Sequence, residues 1–282
     1  MDITLLKTFL EVARARHFGR AADVLCVTQS AVSARIKLLE QTLGVDLFSR
    51  KRNDIHLTPA GERLHRHADI LVKGWERARL DVALREEHRH VLSAGGPYDL
   101  WRILLDRWAA RLGEVHPEVA LTLEANTTDI LVRRVTENLL DLVILFEAPQ
   151  IEGLALRSVA RIPVIMVSTT PGQSMERALK DRYVMVDWGT SFAVQHARMF
   201  PDSPAPGLRV NLGLLAYETL LARGGSAYLA EGMVQSALEA GTLHRVQGAP
   251  VFERRATAVY RPDSPRVGTI SEALKVFQGL DG

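Results

Sequence analysis

At 282 residues, with 47% hydrophobic and 24% charged side chains, the chain has the composition of a soluble globular protein and the length for about two domains. Its single cysteine excludes an intramolecular disulfide or a cysteine-based metal cluster, and no apolar run approaches the ~20 residues that span a bilayer. The net charge of +2 hides an asymmetry: residues 1–66 carry 11 Lys+Arg against 7 Asp+Glu, whereas the rest carries 24 against 26, so cationic charge gathers where a polyanion could be met.

The opening stretch, MDITLLKTFLEVARAR, has an acid at its second position and apolar residues interrupted by Lys7 and Glu11. It does not read as a signal peptide, so a cytoplasmic location and no membrane partner are expected. Thr4 to Arg16 reads as a first helix, with Leu5, Leu6, Phe9, Leu10 and Ala13 on one face. Gly19 sits where a helix cap is needed, and Ala21-Ala22 are small enough for close helix packing. A tight turn follows at Leu25-Cys26-Val27, with Cys26 expected as a small buried filler.

Thr28 is placed to cap the next helix, because its hydroxyl can accept from an unpaired N–H of the first turn. Val32, Ile36, Leu39 and Leu43 then form one apolar stripe. At about 100° per residue, Ser30, Ser33 and Lys37 fall on the opposite face and Gln29 on its edge. Such a helix can enter a major groove, where short polar groups reach base edges and phosphates. Taken alone, it can equally be an ordinary amphipathic helix with a solvated face.

After Gly44, a helix stop, Val45 to Phe48 and Ile55-His56-Leu57 read as two arms of a β-hairpin with a turn at Asn53-Asp54. Arg50-Lys51-Arg52 on one arm would suit a wing that touches phosphates beside a recognition helix, although a lone run of this kind is usually just solvated. Thr58-Pro59-Ala60-Gly61-Glu62 starts another helix. Leu64, Ala68, Leu71, Trp75, Ala78 and Val82 continue it as a heptad seam, expected to pair with a second copy of the chain. From Thr58 to Arg85 it would run roughly 42 Å. Glu86 to His90 reads as a charged hinge.

Beyond it the pattern alternates. Strands are expected at Val91–Ala94, Val119–Leu123, Leu142–Phe146, Ile162–Ser168, Val184–Asp187, Ala227–Leu229 and Ala256–Tyr260. Helices are expected at Tyr98–Val115, Thr128–Asn138, Leu214–Arg223, Met233–Ala240 and Pro265–Phe277. This is the order of a mainly parallel α/β domain. Neither GxSxG, a phosphate-binding glycine loop nor HExxH occurs in it, so an enzyme is not expected. His65, His67, His88 and His90 do not assemble a metal site by spacing, and no cofactor is expected. Trp101 and Trp108, seven apart, suit packing.

The segments LLKTFLEVARARHFGRAA, LCVTQSAVSARIKLLEQTLGVDLFSR and LTPAGERL resemble the LysR-type transcriptional regulators, over about the first 65 residues without a gap. The stretches KTFLEVARARHFGRAA and LFSRKRNDIHLTPAGE are especially similar to a flagellar-operon repressor of that family, which implies motility genes as targets. The resemblance implies a winged helix-turn-helix (residues 1–58), a dimerising linker helix and hinge (59–90) and a two-lobed, periplasmic-binding-protein-like effector domain (91–282). Residues 91–160 with 257–282 would form lobe 1 and residues 163–255 lobe 2, with crossovers near Ile162 and Tyr260. The implied partners are double-stranded DNA, a second or further copy of the chain, a small-molecule effector and RNA polymerase.

Carried over by position, DNA contacts fall on Thr28, Gln29, Ser30, Ser33, Arg35 and Lys37, with Arg50 and Arg52 on the wing. Ser33 and the arginines would hold phosphates. Gln29 could read adenine through its amide or serve as a capping partner beside Thr28. Effector contacts are expected where strands end and helices begin, at Gly95-Gly96-Pro97, Asn126-Thr127-Thr128, Trp188-Gly189-Thr190 and Gly224-Gly225-Ser226, each of which could also be an ordinary turn and cap. Gly96-Pro97 stands where many relatives have a hydroxyl, removing a donor for a carboxylate-type effector. The alternatives are a regulator whose C-terminal domain serves only oligomerisation and, more remotely, a small-molecule-binding protein or an enzyme.

Overall fold

The computed structural model describes residues 2–51, 54–82 and 90–280, the side chains of Arg50, Lys51, Asp54, Leu80 and Asp81 excepted. The chain divides into two compact units, Met1–Arg85 and Glu86–Gly282.

In the first unit, α1 (Ile3–Ala15) starts at Asp2, whose carboxylate accepts the Thr4 N–H at 2.8 Å. The next helix, α2 (Phe18–Val24), is capped by His17, whose Nδ1 accepts from the Gly19 and Arg20 N–H groups at 3.0 and 3.2 Å. Gly19 is therefore inside the helix and the imidazole does the capping expected of it. Cys26 lies exposed in the following turn with φ +53°. Being exposed, it is not the buried filler expected from the sequence. After it comes α3 (Gln29–Leu43), ended by Gly44 in the left-handed conformation.

Strands β1 (Phe48–Lys51) and β2 (Asp54–Leu57) pair antiparallel, from Phe48 opposite Leu57 to Lys51 opposite Asp54. Asp54 is thus a paired strand residue, and the connecting pair is Arg52-Asn53, which lies outside the described residues. Helix α4 (Pro59–Val82) follows, with Thr58 Oγ1 accepting the Gly61 N–H at 3.0 Å. The core joins Leu6, Phe9 and Val12 of α1 to Ala21, Val32, Ile36, Leu39, Phe48, Ala68 and Val72. Of the expected hinge, residues 86–89 lie outside the described residues.

In the second unit, β3 (His90–Gly96) leads into α5 (Tyr98–Leu100), which passes through a π-helical stretch at Trp101–Leu105 into α6 (Asp106–Val115). Then come β4 (Val119–Ala125), α7 (Thr128–Thr136), β5 (Leu142–Leu145), β6 (Ala155–Ser168), α8 (Met175–Lys180), β7 (Tyr183–Val186) and α9 (Thr190–Met199). The chain continues through β8 (Leu208–Val210), α10 (Gly213–Arg223), β9 (Ser226–Ala230), α11 (Glu231–Glu239), β10 (His244–Arg245), β11 (Phe252–Tyr260), α12 (Val267–Lys275) and a 3-10 turn at Val276–Gly279.

The strands form one sheet in the order β4-β3-β5-β11-β6-β9-β7-β8, with β10 on β6. The expectation of a mainly parallel sheet holds only in the two wings, where β3 pairs with β4 and β5, and β7 with β8 and β9. In the middle, β6 and β11 run antiparallel to each other, β11 also to β5, and β6 also to β9 and β10. Strand β6 begins seven residues before the expected Ile162, because its first half is polar (Arg157, Ser158, Arg161) and mostly exposed, lacking the apolar run that marks its second half. Trp108 is buried, stacked on Phe277 at 5.2 Å, and donates its indole N–H to Ala273 O.

One buried carboxylate fastens α3 to the wing. Glu40 Oε1 accepts the N–H groups of Leu47 (2.9 Å) and Phe48 (3.3 Å) where β1 begins. Glu40→Ala should cost the N-terminal unit about 2–4 kcal/mol in denaturant unfolding, whereas Glu40→Gln, which keeps an acceptor, should cost less than half of that. Equal losses in the two variants would show that charge, not the acceptor, holds the wing.

Candidate DNA-binding face and effector cleft

Thr28 Oγ1 accepts the Ala31 N–H at 3.2 Å and pairs with Ser30 Oγ at 2.9 Å, so these two hydroxyls complete the start of α3 between them. Gln29 is exposed and makes no hydrogen bond among the described residues, which leaves its amide free of the capping task. Ser33 is half-buried and Lys37 exposed on the same face. Arg35 points the other way: it lies about 160–200° around the helix from Ser33 and Lys37, and its Nη1 reaches Thr8 Oγ1 of α1 at 3.4 Å. Geometry therefore makes Arg35 a brace between helices. Arg50 is on β1, and Arg52 lies outside the described residues.

The heptad seam is divided. Ala68 is fully buried and Leu64 packs beside it in the unit's own core, because the first half of α4 lies against α1. From Leu71 onward the stripe is bare: Leu71 is 47% exposed, Trp75 49% and Val82 89%, and Ala78 is exposed too. A self-packing stripe and a bare one share one spacing, so the sequence alone runs them together.

In the C-terminal unit the carboxyl ends of the two sets of parallel strands meet the central β6–β11 pair from opposite sides. Gly96 ends β3 and Pro97 follows it, Thr127 and Thr128 follow β4, and Trp188 and Thr190 follow β7. These six lie at the edges that face the cleft. Their side chains differ in availability. Thr127 and Thr128 are exposed at the start of α7, with the Thr127 hydroxyl turned to Asp129; Thr190 is exposed. Trp188 is 3% exposed and donates its indole N–H to Tyr228 O at 2.8 Å, so it is a wall of the core. Gly225 does not belong here. It precedes β9 instead of following a strand, and it sits at the opposite end of lobe 2, bonded to Thr169. Hollows of about 630 and 900 Å³ open at that far end, both bordered by Lys180, Arg182 and Gly224.

Sequence reasoning missed the charged groups of the cleft. Helices α9 and α10 begin after Gly189 and Leu212, which have no side chain able to cap them. Their caps come from lobe 1. Glu147, just past β5, accepts the Ser191 N–H on Oε1 at 3.1 Å. Asp99 of α5 accepts the Gly213 N–H on both oxygens, at 3.0 and 3.1 Å. The Glu147 approach needs a glycine, because a Cβ on Gly189 would stand 2.6 Å from its carboxylate; at Gly213 the space is taken by Trp188, 2.8 Å from where a Cβ would be. Asp187 supplies a local cap to the Gly189 N–H at 2.9 Å. Arg254 of β11 lies over the Phe146 ring at 4.7 Å, with Nη2 3.8 Å from Glu147 Oε1. Burial lowers the Arg254 guanidinium from its ordinary range, opposed by Glu147 and Asp187. Burial raises the Asp99 carboxyl, opposed by the Gly213 and Leu214 N–H groups.

A winged helix-turn-helix joined to a two-lobed α/β unit defines a ligand-responsive class of DNA-binding protein. Comparison with known proteins agrees with both halves. Residues 3–62 match the model of the bacterial regulatory helix-turn-helix protein, lysR family, and residues 85–278 that of the LysR substrate binding domain. The chain is 36% identical to the HTH-type transcriptional regulator HdfR of Salmonella dublin over 278 residues, 98% of each chain, and to that of Salmonella newport over the whole of both. It shares its fold with the LysR family regulator CbnR, at TM-score 0.76 and 18% identity over 98% of this chain and 99% of that one. CbnR complexed with its target DNA matches at TM-score 0.74 and 18% identity, over 98% and 100% of the two chains. The chain belongs to the LysR family and is a DNA-binding transcriptional regulator of that type. None of its described helices is long and apolar enough to cross a membrane.

A raised Asp99 pKa carries a sign. The folded state then binds a proton more readily than the unfolded one, whose value is about 3.9, so this group's contribution to stability rises as pH falls through the folded pKa and is complete below about 3.9. Thermal unfolding of the wild type should therefore gain on that of Asp99→Asn as the pH is lowered from neutral towards 4. A constant gap would mean that Asp99 is ionised alike in both states.

Proposed function

We propose that α3 enters the major groove with Gln29, Ser30, Ser33 and Lys37 towards the DNA, while Arg50 and Arg52 of the wing hold phosphates. The observation that carries this is the bare amide of Gln29 beside a cap already completed by Thr28 and Ser30. An amide with two free donor and acceptor edges can pair bidentately with adenine, and the flanking hydroxyls and cation supply backbone contacts. Thr28 then contributes through the helix start, and Arg35 by fixing the helix on α1.

In this reading residues 1–58 bind DNA, residues 59–90 link and dimerise, and residues 91–282 sense. The partner face of α4 is Leu71, Trp75, Ala78 and Val82, an exposed apolar strip apart from the residues the helix buries in its own unit. Two copies joined there present two recognition helices to two half-sites. A small molecule held between the lobes, near Gly96, Thr127, Thr128 and Thr190, shifts the spacing of those heads only by binding one conformation better than the other. The protein acts in the cytoplasm by binding and not by catalysis. Its targets include a motility operon, and contact with RNA polymerase follows from promoter binding. The similarity to HdfR over the full chain supports this assignment, and the complex of CbnR with DNA supports the use of the fold on a duplex.

Gln29→Ala should relax preference at one base pair by about 1–3 kcal/mol; a uniform loss over all duplexes would remove it from readout. Replacing Arg50 and Arg52 together by Ala should weaken every duplex and flatten the slope of log affinity against log salt by about 2 per protomer, about 4 for the dimer. Leu71→Asp should give monomers in sedimentation, and an unchanged mass would take the strip out of the dimer. Mapping bound DNA across the native host's genome tests the motility assignment, which fails if no motility operon is occupied.

A further inference from the structure

We propose that Glu147 is a built-in occupant of the cleft's anion position: a tethered carboxylate that clamps lobe 1 onto lobe 2 where a free carboxylate would otherwise bind. Three independent features converge on its Oε1. It accepts the Ser191 N–H at the first turn of α9, a ten-residue helix whose own N-cap is a glycine. It stands in space that only a glycine at 189 leaves open. It is also the counter-charge of Arg254, 3.8 Å away.

Arg254 is the observation that marks this as an anion position and not merely a helix cap. The residue is 5% exposed, its Nη1 is buried without a hydrogen-bond partner, and Glu147 is the acid nearest to it among its ion pairs. A guanidinium so withdrawn from water requires an anion close by, and helix α9 directs its first N–H groups to the same point. The arrangement is repeated once. Asp99, also from lobe 1, fills the start of α10 in lobe 2. Two lobe-2 helices, α9 and α10, are therefore capped by a carboxylate from lobe 1, whereas α11 starts after Ala230 with no side-chain cap. The clamp rests on the two-lobed sensing reading for its regulatory meaning, but not for its test, which uses no DNA.

In the full-length protein, Glu147→Ala should lower the melting temperature of the C-terminal unit. Sodium acetate should restore at least half of that loss, whereas sodium chloride and acetamide at the same concentration should not, and wild type should respond to acetate no more than to chloride. Acetate that stabilises wild type as much as the variant would overturn the proposal, as would a Glu147→Ala protein that melts like wild type or is not rescued. Should Glu147→Ala fail to fold, Glu147→Gln keeps the shape and one acceptor while removing the charge. Faster amide exchange in the peptide containing Ser191 is then expected, and unchanged exchange would overturn the clamp. A separate measurement of DNA affinity in Glu147→Ala that stayed unchanged while the rescue held would count against the sensing reading alone.

Discussion

Strands β6 and β11 lie antiparallel from Val164 opposite Phe252 to Ala155 opposite Tyr260, and this ladder is what makes one unit out of two lobes. Its register slips between Ala256 and Thr257, near the middle. A bulge at that point bends the bulged strand and raises its local twist, so it helps to set the angle at which the two lobes meet. Any clamp between the lobes must act where the parallel wings face each other across this antiparallel middle. Arg254 belongs to this ladder, opposite Ile162, so the charge facing Glu147 is carried by the β6–β11 pair itself.

The N-terminal unit solves a similar problem on a smaller scale. A recognition helix is useful only if its wing keeps a fixed place beside it. Hydrophobic packing of Phe48 on Phe9 and Phe18 holds the base of the hairpin but is tolerant of sliding. Glu40 adds direction, because two N–H groups at successive residues must both meet one oxygen. Rigidity of the reader therefore comes from a buried acid in a unit whose net charge is positive.

Helix starts were legible in the residues because capping is local: Thr28, Ser30 and Thr58 do what their hydroxyls allow within three positions. The stripe of α3 was legible for the same reason. What escaped was set by distant partners. Nothing near Gly189 or Leu212 in sequence announces that Glu147 and Asp99 cap those helices, 44 and 114 positions away. The heptad of α4 was visible as a period, but a period cannot say which turns face α1. Gly225 resembled the other glycine-containing turns, and only strand direction separates it from them. Short elements such as α8, β8 and β10 lack the length for a periodic signal.

The Glu147–Arg254 contact is also weak enough to be given up. At 3.8 Å it is an ion pair without a hydrogen bond, between a buried guanidinium and a Glu147 side chain still 44% exposed, so solvent screens it. A charged hydrogen bond is worth roughly 1.5–3 kcal/mol. An incoming carboxylate that replaced Glu147 on the α9 N–H and gave Arg254 even one such bond would gain about 10–100-fold in affinity for the conformation that admits it. Because Asp99 holds the second helix independently, that gain would loosen one side of the cleft and not the other. Such a lopsided change of contacts is the differential interaction a ligand needs in order to favour one conformation over another.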